Sequence, residues 1–273
     1  MSDFLGEMTT ASLQRAHDLR ETVGEEALES RIATAPPPRR LEISPGTFDV
    51  IAETKLASPS EGQLVTGAPS VSHVSDLASR FADNGAAAVS VLTEPTRFAG
   101  SMEHLEVAAG TVVVPVMRKD FLVDPIQVLE ARAAGASGVL LIARILPNEL
   151  LVEMTDLILE LGMFALVEVF DRSDLETAVR VFDRELLVGV NSRDLLTLEI
   201  DLSRFESLAP YLPDHLPAVA ESGMSTPDDV ATVARLGYRM ALVGSSLVTG
   251  TDPGQELSRM IAAGRDAAEG VSG

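Results

Sequence analysis

Short apolar runs alternate with longer segments of helical pattern along most of the chain, from residue 47 onward. A continuous apolar run of four to eight residues is typical of a parallel strand that is buried on both faces. Parallel neighbours need a crossover to return the chain, and a helix usually supplies it. Eight strands are therefore predicted, over residues 50–55, 88–93, 112–119, 138–142, 164–168, 186–191, 218–222 and 240–244.

The segments between these runs carry helix signals at both ends. Five helix candidates span residues 74–83, 125–134, 147–161, 173–182 and 226–236, and four of them are followed by Gly85, Gly135, Gly162 and Gly237. Eight strand–helix units predict an α/β fold whose strands close into a (β/α)8 TIM barrel, and residues 46–273 suit its typical length of about 250 residues. A doubly wound sheet is disfavoured, because no glycine-rich phosphate turn follows the first strand.

Residues 1–45 follow a different pattern, with more charge and a helical spacing of apolar residues. These apolar positions are Leu13, Ala16, Leu19, Val23, Ala27 and Ile32. The segment ends in Pro36-Pro37-Pro38-Arg39-Arg40, which favours a stiff, extended linker. We therefore expect an N-terminal helical extension with a Pro-rich linker over residues 1–45 and a catalytic barrel over residues 46–273.

Composition narrows the possible partners and compartments. With 21 Lys and Arg against 41 Asp and Glu, the formal charge is −20, which disfavours binding to nucleic acid or to anionic membrane surfaces. The chain has no cysteine, so disulfides and thiolate metal sites are excluded. Its first residues do not resemble a signal peptide, and no apolar run approaches the ~18 residues of a membrane span. We expect a cytoplasmic protein.

Polar residues interrupt the predicted strands only near their C-terminal ends, which is where TIM barrels carry their active sites. One interpretation is a ring of structural ion pairs across the barrel mouth. However, burial costs several kcal/mol for each unpaired ion, so a cluster of this size favours a catalytic site over a purely structural one. In chain order these residues are Glu53, Lys55, Lys119, Glu168, Asn191, Glu221, Ser222 and Ser245.

Glycines after the last two strands suggest a phosphate-binding site at the same face of the barrel. Gly223 follows the seventh strand, and Gly244 opens the segment Gly244-Ser245-Ser246 after the eighth. Barrels often bind phosphate there through backbone N–H groups, which a glycine lets the ligand approach closely. Plain tight turns are the alternative explanation for these glycines.

Several segments resemble the indole-3-glycerol phosphate synthase family. They include IAETKLASPSEG, VPVMRKDFLVDPIQVLEARAAGASGVLLI, VGVNSRDLLTLEIDL and AESGMSTPDDV, and the resemblance extends over about residues 48–250. It implies ring closure of 1-(o-carboxyphenylamino)-1-deoxyribulose 5-phosphate to indole-3-glycerol phosphate with loss of CO2 and water. No metal and no organic cofactor are implied, and the substrate is a small phosphorylated molecule.

The resemblance also assigns roles at matching positions. Lys119 is expected to be the general acid, and Glu168 to assist dehydration and stabilise positive charge on nitrogen. Glu53 and Asn191 are expected to orient Lys119 and the substrate hydroxyls, and Lys55 to lie near both the phosphate and the reacting end. The remaining assignments are substrate contact for Glu221 and Ser222, the phosphate site for Ser58, Arg193, Gly223, Gly244 and Ser245, and an apolar wall around the anthranilate ring for Phe98 and Leu195.

The loop after the first strand departs from the family pattern. The family usually has Lys-Arg-x-Ser-Pro-Ser-Lys there, whereas this chain has Lys55-Leu56-Ala57-Ser58-Pro59-Ser60-Glu61. The loss of basic residues weakens attraction for an anionic substrate. Two alternative functions stay open, namely a paralogue that acts on a related phosphoketose and a non-catalytic barrel that binds a phosphorylated ligand. We expect a monomer or a weak homodimer.

Overall fold

Eight parallel strands form a closed barrel in the computed structural model, which describes residues 4–43, 46–195 and 197–270. In chain order the strands are β1 (Asp49–Glu53), β2 (Ala57–Ser58), β3 (Gly62–Gln63), β4 (Ala88–Leu92), β5 (Val116–Lys119), β6 (Gly138–Ile142), β7 (Phe164–Val169), β8 (Leu187–Asn191), β9 (Ala218–Glu221) and β10 (Met240–Val243). β2 and β3 form a small antiparallel hairpin, and the other eight close the barrel in sequence order, with β10 beside β1. The predicted TIM barrel is confirmed.

Alternating residues of the strands belong to two apolar layers. Ile51, Met117 and Leu166 point into the barrel, where they form one buried cluster. Val50 and Val91 point outward and pack with the surrounding helices in the larger cluster. This two-sided burial explains why the strands are continuous apolar runs, and it leaves their C-terminal ends as the place where polar side chains reach solvent.

Helices surround the barrel, and two more precede its first strand. They are α1 (Phe4–Thr22), α2 (Glu25–Thr34), α3 (Val71–Asp83), α4 (Met102–Thr111), α5 (Pro125–Ala133), α6 (Asn148–Glu160), α7 (Arg172–Ala178), α8 (Ser203–Leu208), α9 (Pro227–Arg235), α10 (Ser245–Thr249) and α11 (Pro253–Glu269). The helix predicted over residues 173–182 ends early as α7 and continues as a 3-10 turn, Val179–Val181.

Side chains and glycines set the ends of several helices as the sequence signals suggested. Asp124 caps α5 in a reciprocal arrangement with Gln127, and Thr226 caps α9 in the same way with Asp229. The four predicted terminating glycines all have positive φ, a conformation that glycine adopts without a Cβ penalty. Among the described residues, no helix has both the length and the apolar character needed to cross a membrane.

The extension is helical, but the predicted apolar stripe is wrong in part. Gly24, with φ 78°, separates α1 from α2 and resets the helical phase, so one stripe cannot continue across it. Leu13 and Val23 are exposed, at 52% and 41%, whereas Ala16 and Leu28 are buried. The predicted boundary of the extension at residue 45 falls on Ser44 and Pro45, which lie outside the described residues.

The extension packs against the barrel near the C-terminal ends of its strands. Phe4 makes an edge-on contact with Phe121, at 5.9 Å between ring centroids, just beyond the end of β5. Arg15 of α1 donates a 2.7 Å hydrogen bond to Asp120. Leu28 of α2 packs with Ile126 of α5. The two helices therefore cover part of the rim around the barrel mouth.

Candidate active site

A pocket opens at the C-terminal end of the barrel and is lined mainly by the ends of its strands and by the loops that follow them. Thirteen of the fourteen predicted site residues line it. The exception is Ser58, whose buried side chain lies behind Glu61. The lining residues that were predicted are Glu53, Lys55, Phe98, Lys119, Glu168, Asn191, Arg193, Leu195, Glu221, Ser222, Gly223, Gly244 and Ser245.

Lys119 lies among carboxylates at the inner end of the pocket. Its Nζ is 3.8 Å from Oε2 of Glu168 and 3.7 Å from Oε2 of Glu221. Burial alone lowers the pKa of Lys119, but the charges of Glu168, Glu53 and Glu221 outweigh burial and raise the pKa above its ordinary value. The sequence predicted Glu53 as the facing carboxylate, whereas the two within 4.0 Å are Glu168 and Glu221 and Glu53 acts over a longer distance.

Asn191 holds Glu168 in place at the end of the neighbouring strand. Its Nδ2 donates a 3.0 Å hydrogen bond to Oε2 of Glu168, and both residues are at most 5% exposed. The amide oxygen of Asn191 accepts a 2.9 Å hydrogen bond from the backbone N–H of Arg193. Because both ends of the amide are engaged, the orientation of Asn191 is determined, and Glu168 is presented to Lys119 in one position.

Glu221 is buried without a hydrogen-bond donor at either carboxylate oxygen. Burial and then the neighbouring charge of Glu168 raise its pKa well above the ordinary value for a glutamate. Among the residues that the structure describes, its ion-pair partner is Lys119. The side chain reaches this position because Gly189 of β8 has no side chain, since a Cβ there would clash with Oε1 of Glu221.

Gly244 leaves room for the side chain of Glu53 in the same way as Gly189 does for Glu221. A Cβ at Gly244 would lie 2.6 Å from Oε1 of Glu53. At the end of β9, Ser222 has φ 68° and Gly223 has φ 77°, so two consecutive residues adopt the left-handed conformation. For a non-glycine residue this costs of the order of 1 kcal/mol, and such strain is often found at functional sites.

A second set of polar groups converges at the outer end of the pocket. Nζ of Lys55 donates a 3.0 Å hydrogen bond to Oγ of Ser245. Ser245 in turn donates a 2.5 Å hydrogen bond to Oε2 of Glu61, which Ser58 also contacts at 3.1 Å. Burial is the largest cause that lowers the pKa of Lys55 below its ordinary value, partly offset by Glu53 and Glu61.

Arg193 lies beside this set and is tied to the loop around it. Its Nη1 donates hydrogen bonds to Oγ of Ser60, at 3.2 Å, and to the carbonyl of Leu198, at 2.9 Å. The outer end thus contains two cationic side chains, three serine hydroxyl groups and the carboxylate of Glu61. The cations and hydroxyl groups of such a set suit an anionic ligand group.

The pocket also has an apolar wall. Phe98 and Phe121 contact each other at 6.3 Å between ring centroids, and Leu195 also lines the pocket. The wall includes Leu140 and Ile142, which the sequence analysis missed although their alternation in β6 places them inside the barrel. A flat aromatic group fits such a surface.

Comparison with known proteins identifies the family. A family model described as indole-3-glycerol phosphate synthase matches residues 8–260. The chain belongs to the indole-3-glycerol phosphate synthase family. The protein of that name from Kineococcus radiotolerans is 46% identical over 215 residues, which are 79% of this chain and 76% of that protein. The one from Parafrankia sp. is 44% identical over 240 residues, or 87% of each chain.

Solved structures of low sequence identity share the fold. The 3-hexulose-6-phosphate synthase of Salmonella typhimurium has a TM-score of 0.62 at 13% identity and covers 79% of this chain and 98% of its own. Tryptophan synthase subunit alpha of Legionella pneumophila has a TM-score of 0.55 at 15% identity, with coverages of 82% and 93%. These likenesses concern the barrel alone, because one fold supports many reactions.

In the loop after β1, this chain has Glu61 where the family pattern has a lysine. The sequence analysis treated it as a missing basic residue in a loop, whereas its carboxylate lies inside the predicted phosphate site. The position of Glu61 depends on the hairpin of β2 and β3, which turns the loop back onto Ser58. A prediction of this hairpin from the sequence would have placed Glu61 at the site. No group of three or more His, Cys, Asp or Glu side chains among the described residues is arranged to hold a metal ion.

Proposed function

We propose that this pocket closes the indole ring of 1-(o-carboxyphenylamino)-1-deoxyribulose 5-phosphate, releasing CO2 and water and forming indole-3-glycerol phosphate. The observation that carries the proposal is the position of Lys119, a cation held between two buried carboxylates in a pocket that also contains an apolar wall and a cationic outer end. The substrate has the matching groups, because its reacting ketone lies between an anthranilate ring at one end and a phosphate at the other.

Lys119 acts as the general acid in the first step. When the ring carbon attacks the ketone, negative charge develops on the ketone oxygen, and the ammonium group donates a proton to it. The raised pKa of Lys119 keeps this group protonated at neutral pH, so the acid is ready before the substrate binds. The developing alkoxide is more basic than the amine, which makes this transfer favourable.

Glu168 acts after decarboxylation. The hydroxyl takes up a proton from a lysine ammonium of the pocket and leaves as water, and the methylene carbon next to the nitrogen loses a proton. Glu168 accepts that proton and stabilises the positive charge on the nitrogen. Asn191 keeps its carboxylate in place through the 3.0 Å hydrogen bond. Glu53 sustains the charge of Lys119, and Glu221 with Ser222 contacts the substrate hydroxyls.

The phosphate binds at the outer end. Lys55 and Arg193 supply positive charge, the side chains of Ser58 and Ser245 supply hydroxyl groups, and Gly223 and Gly244 leave room for a phosphate near the backbone. Phe98 and Leu195 belong to the apolar wall that packs against the anthranilate ring. All these groups come from one chain, which supports a monomer or a weak homodimer as the working unit, in the cytoplasm as for other biosynthetic reactions on small metabolites.

A fluorescence assay for indole formation tests the proposal. Wild-type protein incubated with the aminodeoxyribulose phosphate is expected to give indole fluorescence that increases with enzyme concentration. A phosphoketose-specific paralogue would leave this substrate unchanged and convert another. A non-catalytic binding barrel would retain the substrate, as seen by equilibrium dialysis, without producing fluorescence.

A further inference from the structure

The hairpin after β1 places a carboxylate in the middle of the proposed phosphate site. Oε2 of Glu61 accepts hydrogen bonds from Ser245, at 2.5 Å, and from Ser58, at 3.1 Å. The same oxygen is 3.7 Å from Nζ of Lys55. Three of the groups proposed to bind phosphate are therefore already bound to one anion of the protein itself.

The hydroxyl groups at this site have no proton left for a second anion. A serine hydroxyl donates one hydrogen bond, and Ser245 and Ser58 both donate theirs to Glu61. The acceptor capacity of Ser245 is used by Lys55, and that of Ser58 by the backbone N–H of Glu61. A phosphate can gain these two donors only after Glu61 releases them.

The electrostatics of Glu61 agree with this geometry. Burial alone raises the pKa of its carboxyl group, but the hydrogen bond from Ser245, the charge of Lys55 and the hydrogen bond from Ser58 outweigh burial and lower the pKa. Glu61 is therefore an anion at neutral pH. A phosphate bound beside it would face a like charge at close range, so the two anions compete for the same place.

The structure also allows Glu61 to be displaced from this position. Its side chain is 39% exposed, and it belongs to a short hairpin paired at Ala57 with Gln63 and Ser58 with Gly62, with one further backbone hydrogen bond from Leu64 to Leu56. An isolated two-stranded hairpin of this kind is at best marginally stable. Gly62, with φ 71° and open space around its Cα, terminates the turn. Displacing the turn therefore disturbs few contacts.

We propose that Glu61 is an affinity-determining residue that occupies the phosphate position of the empty enzyme and must be displaced by the phosphate of the substrate. This inference rests on the proposed location of the phosphate. Its consequence is that part of the binding free energy of the phosphate is used to expel Glu61. Substrate binding is weaker than the cations alone would allow, and a ligand without a phosphate does not open the site.

Binding of inorganic phosphate to the full chain tests the inference without any turnover. Isothermal titration calorimetry is carried out on wild type, on Glu61→Gln and on Glu176→Gln. Glutamine keeps the size of the side chain but removes its charge, so Glu61→Gln is expected to lower the Kd for phosphate by about tenfold. Glu176 is exposed on α7, away from the pocket, and its variant removes the same charge from the molecule. It is expected to change the Kd by less than about twofold.

Kinetics with the phosphorylated substrate supply the second readout. Glu61→Gln is expected to lower KM by a similar factor and to leave kcat within about twofold, since the displaced residue does not touch the reacting atoms. An unchanged or raised Kd for phosphate in Glu61→Gln would overturn the inference, as would equal tightening in Glu176→Gln. If phosphate binding tightens but no variant forms indole, the inference stands and the proposed reaction fails. If indole forms but Glu61→Gln binds phosphate no better, the reaction stands and the inference fails.

Discussion

The two ends of the pocket are built in different ways. At the inner end, Lys119, Glu168 and Glu221 extend from barrel strands, and the two carboxylates are almost completely buried. At the outer end, Glu61 and Arg193 belong to loops, and Glu61 is more than one-third exposed. From this difference we expect the strands to set the chemistry and the loops to set the affinity, because strand residues are held on both sides by the ladder whereas loop residues move at lower cost.

The largest effect is expected from the acid at the inner end. Lys119→Met keeps an unbranched side chain but removes the ammonium group, so kcat should fall by ~10² to 10⁴, the range for loss of general-acid catalysis. The fluorescence assay measures kcat, and phosphate calorimetry shows whether the outer end is intact. If the variant keeps more than about a tenth of the wild-type kcat, corresponding to less than ~1.4 kcal/mol, the acid lies elsewhere and Lys55 becomes the next candidate.

A smaller effect on kcat, together with lower stability, is expected where a glycine makes room for Glu221. Gly189→Ala places a methyl group against Oε1 of this carboxylate and displaces it. We expect unfolding to become easier by about 1–3 kcal/mol from overpacking. We also expect kcat to fall by about 10- to 100-fold from misplacement of the reacting groups. Urea unfolding and the fluorescence assay measure the two effects.

Gly110→Ala is the matched control for this substitution. Gly110 lies in α4, and a Cβ there would meet nothing within 4 Å. Alanine in a helix interior is favoured over glycine, so the control should be neutral or more stable by up to ~1 kcal/mol. A Gly189→Ala variant that matches this control in both assays would show that the inner end tolerates displacement and would remove the contrast between the two ends.

A substitution of Arg193 tests the outer end of the pocket. Arg193→Ala removes a cation that would contact a non-reacting group, so most of its contribution should be equal in the ground and transition states. We expect KM to rise by roughly 10-fold or more, as for the loss of charged hydrogen bonds, with a smaller change in kcat. Steady-state kinetics separate the two constants. An unchanged KM with a large loss in kcat would place Arg193 in the chemistry and contradict the division of the pocket.

The smallest expected effect is a change in the pH dependence of stability. The pKa of Glu221 is raised in the folded state, so between the ordinary glutamate value of about 4.3 and the raised value the folded protein binds more protons than the unfolded one. By linkage, the free energy of unfolding decreases as pH rises through this window. Glu221→Gln removes the titrating group, and the decrease should become shallower.

Urea unfolding at several pH values from 4.5 upward measures this slope for wild type, Glu221→Gln and the exposed control Glu176→Gln. The control should retain the wild-type slope because Glu176 lies on the surface of α7. Equal slopes in wild type and Glu221→Gln would show that Glu221 is ionised in both states. The inner end would then hold three negative charges around one lysine.

The barrel and most of its active site were predictable from local patterns. A strand that is buried on both faces must be apolar throughout, so the polar residue at its end stands out, as Lys119 does after Met117. Once eight such strands are predicted, closure of the barrel brings their ends together, and the site follows without any knowledge of contacts. The segments that resemble the family then assigned the roles.

The extension was predicted less well for a physical reason. Leu13 lies off the buried face of α1, which Leu5, Met8, Ser12 and Ala16 form, and Val23 follows the last residue of that helix. Helical periodicity identifies a stripe only within one continuous helix, and the break at Gly24 prevents the stripe from continuing into α2. The sequence also did not reveal which carboxylate lies closest to Lys119. Whether Glu53, Glu168 or Glu221 comes within 4.0 Å depends on the barrel register and on side-chain direction, and these are not encoded in any one strand.

The sequence by itself determined the fold class, the end of the barrel at which the pocket opens and thirteen of the residues that line it. Burial on two faces imposes a strict apolar pattern on each strand, and the segments that resemble the family supplied the loop residues. Only the tertiary structure decided what those residues do to one another. Gly189 and Gly244 leave room for the carboxylates of Glu221 and Glu53. Glu61 binds the nearby serine hydroxyls and the ammonium group of Lys55. These contacts join residues far apart in the chain, and their distances depend on how β1, β8, β9 and β10 close around one axis.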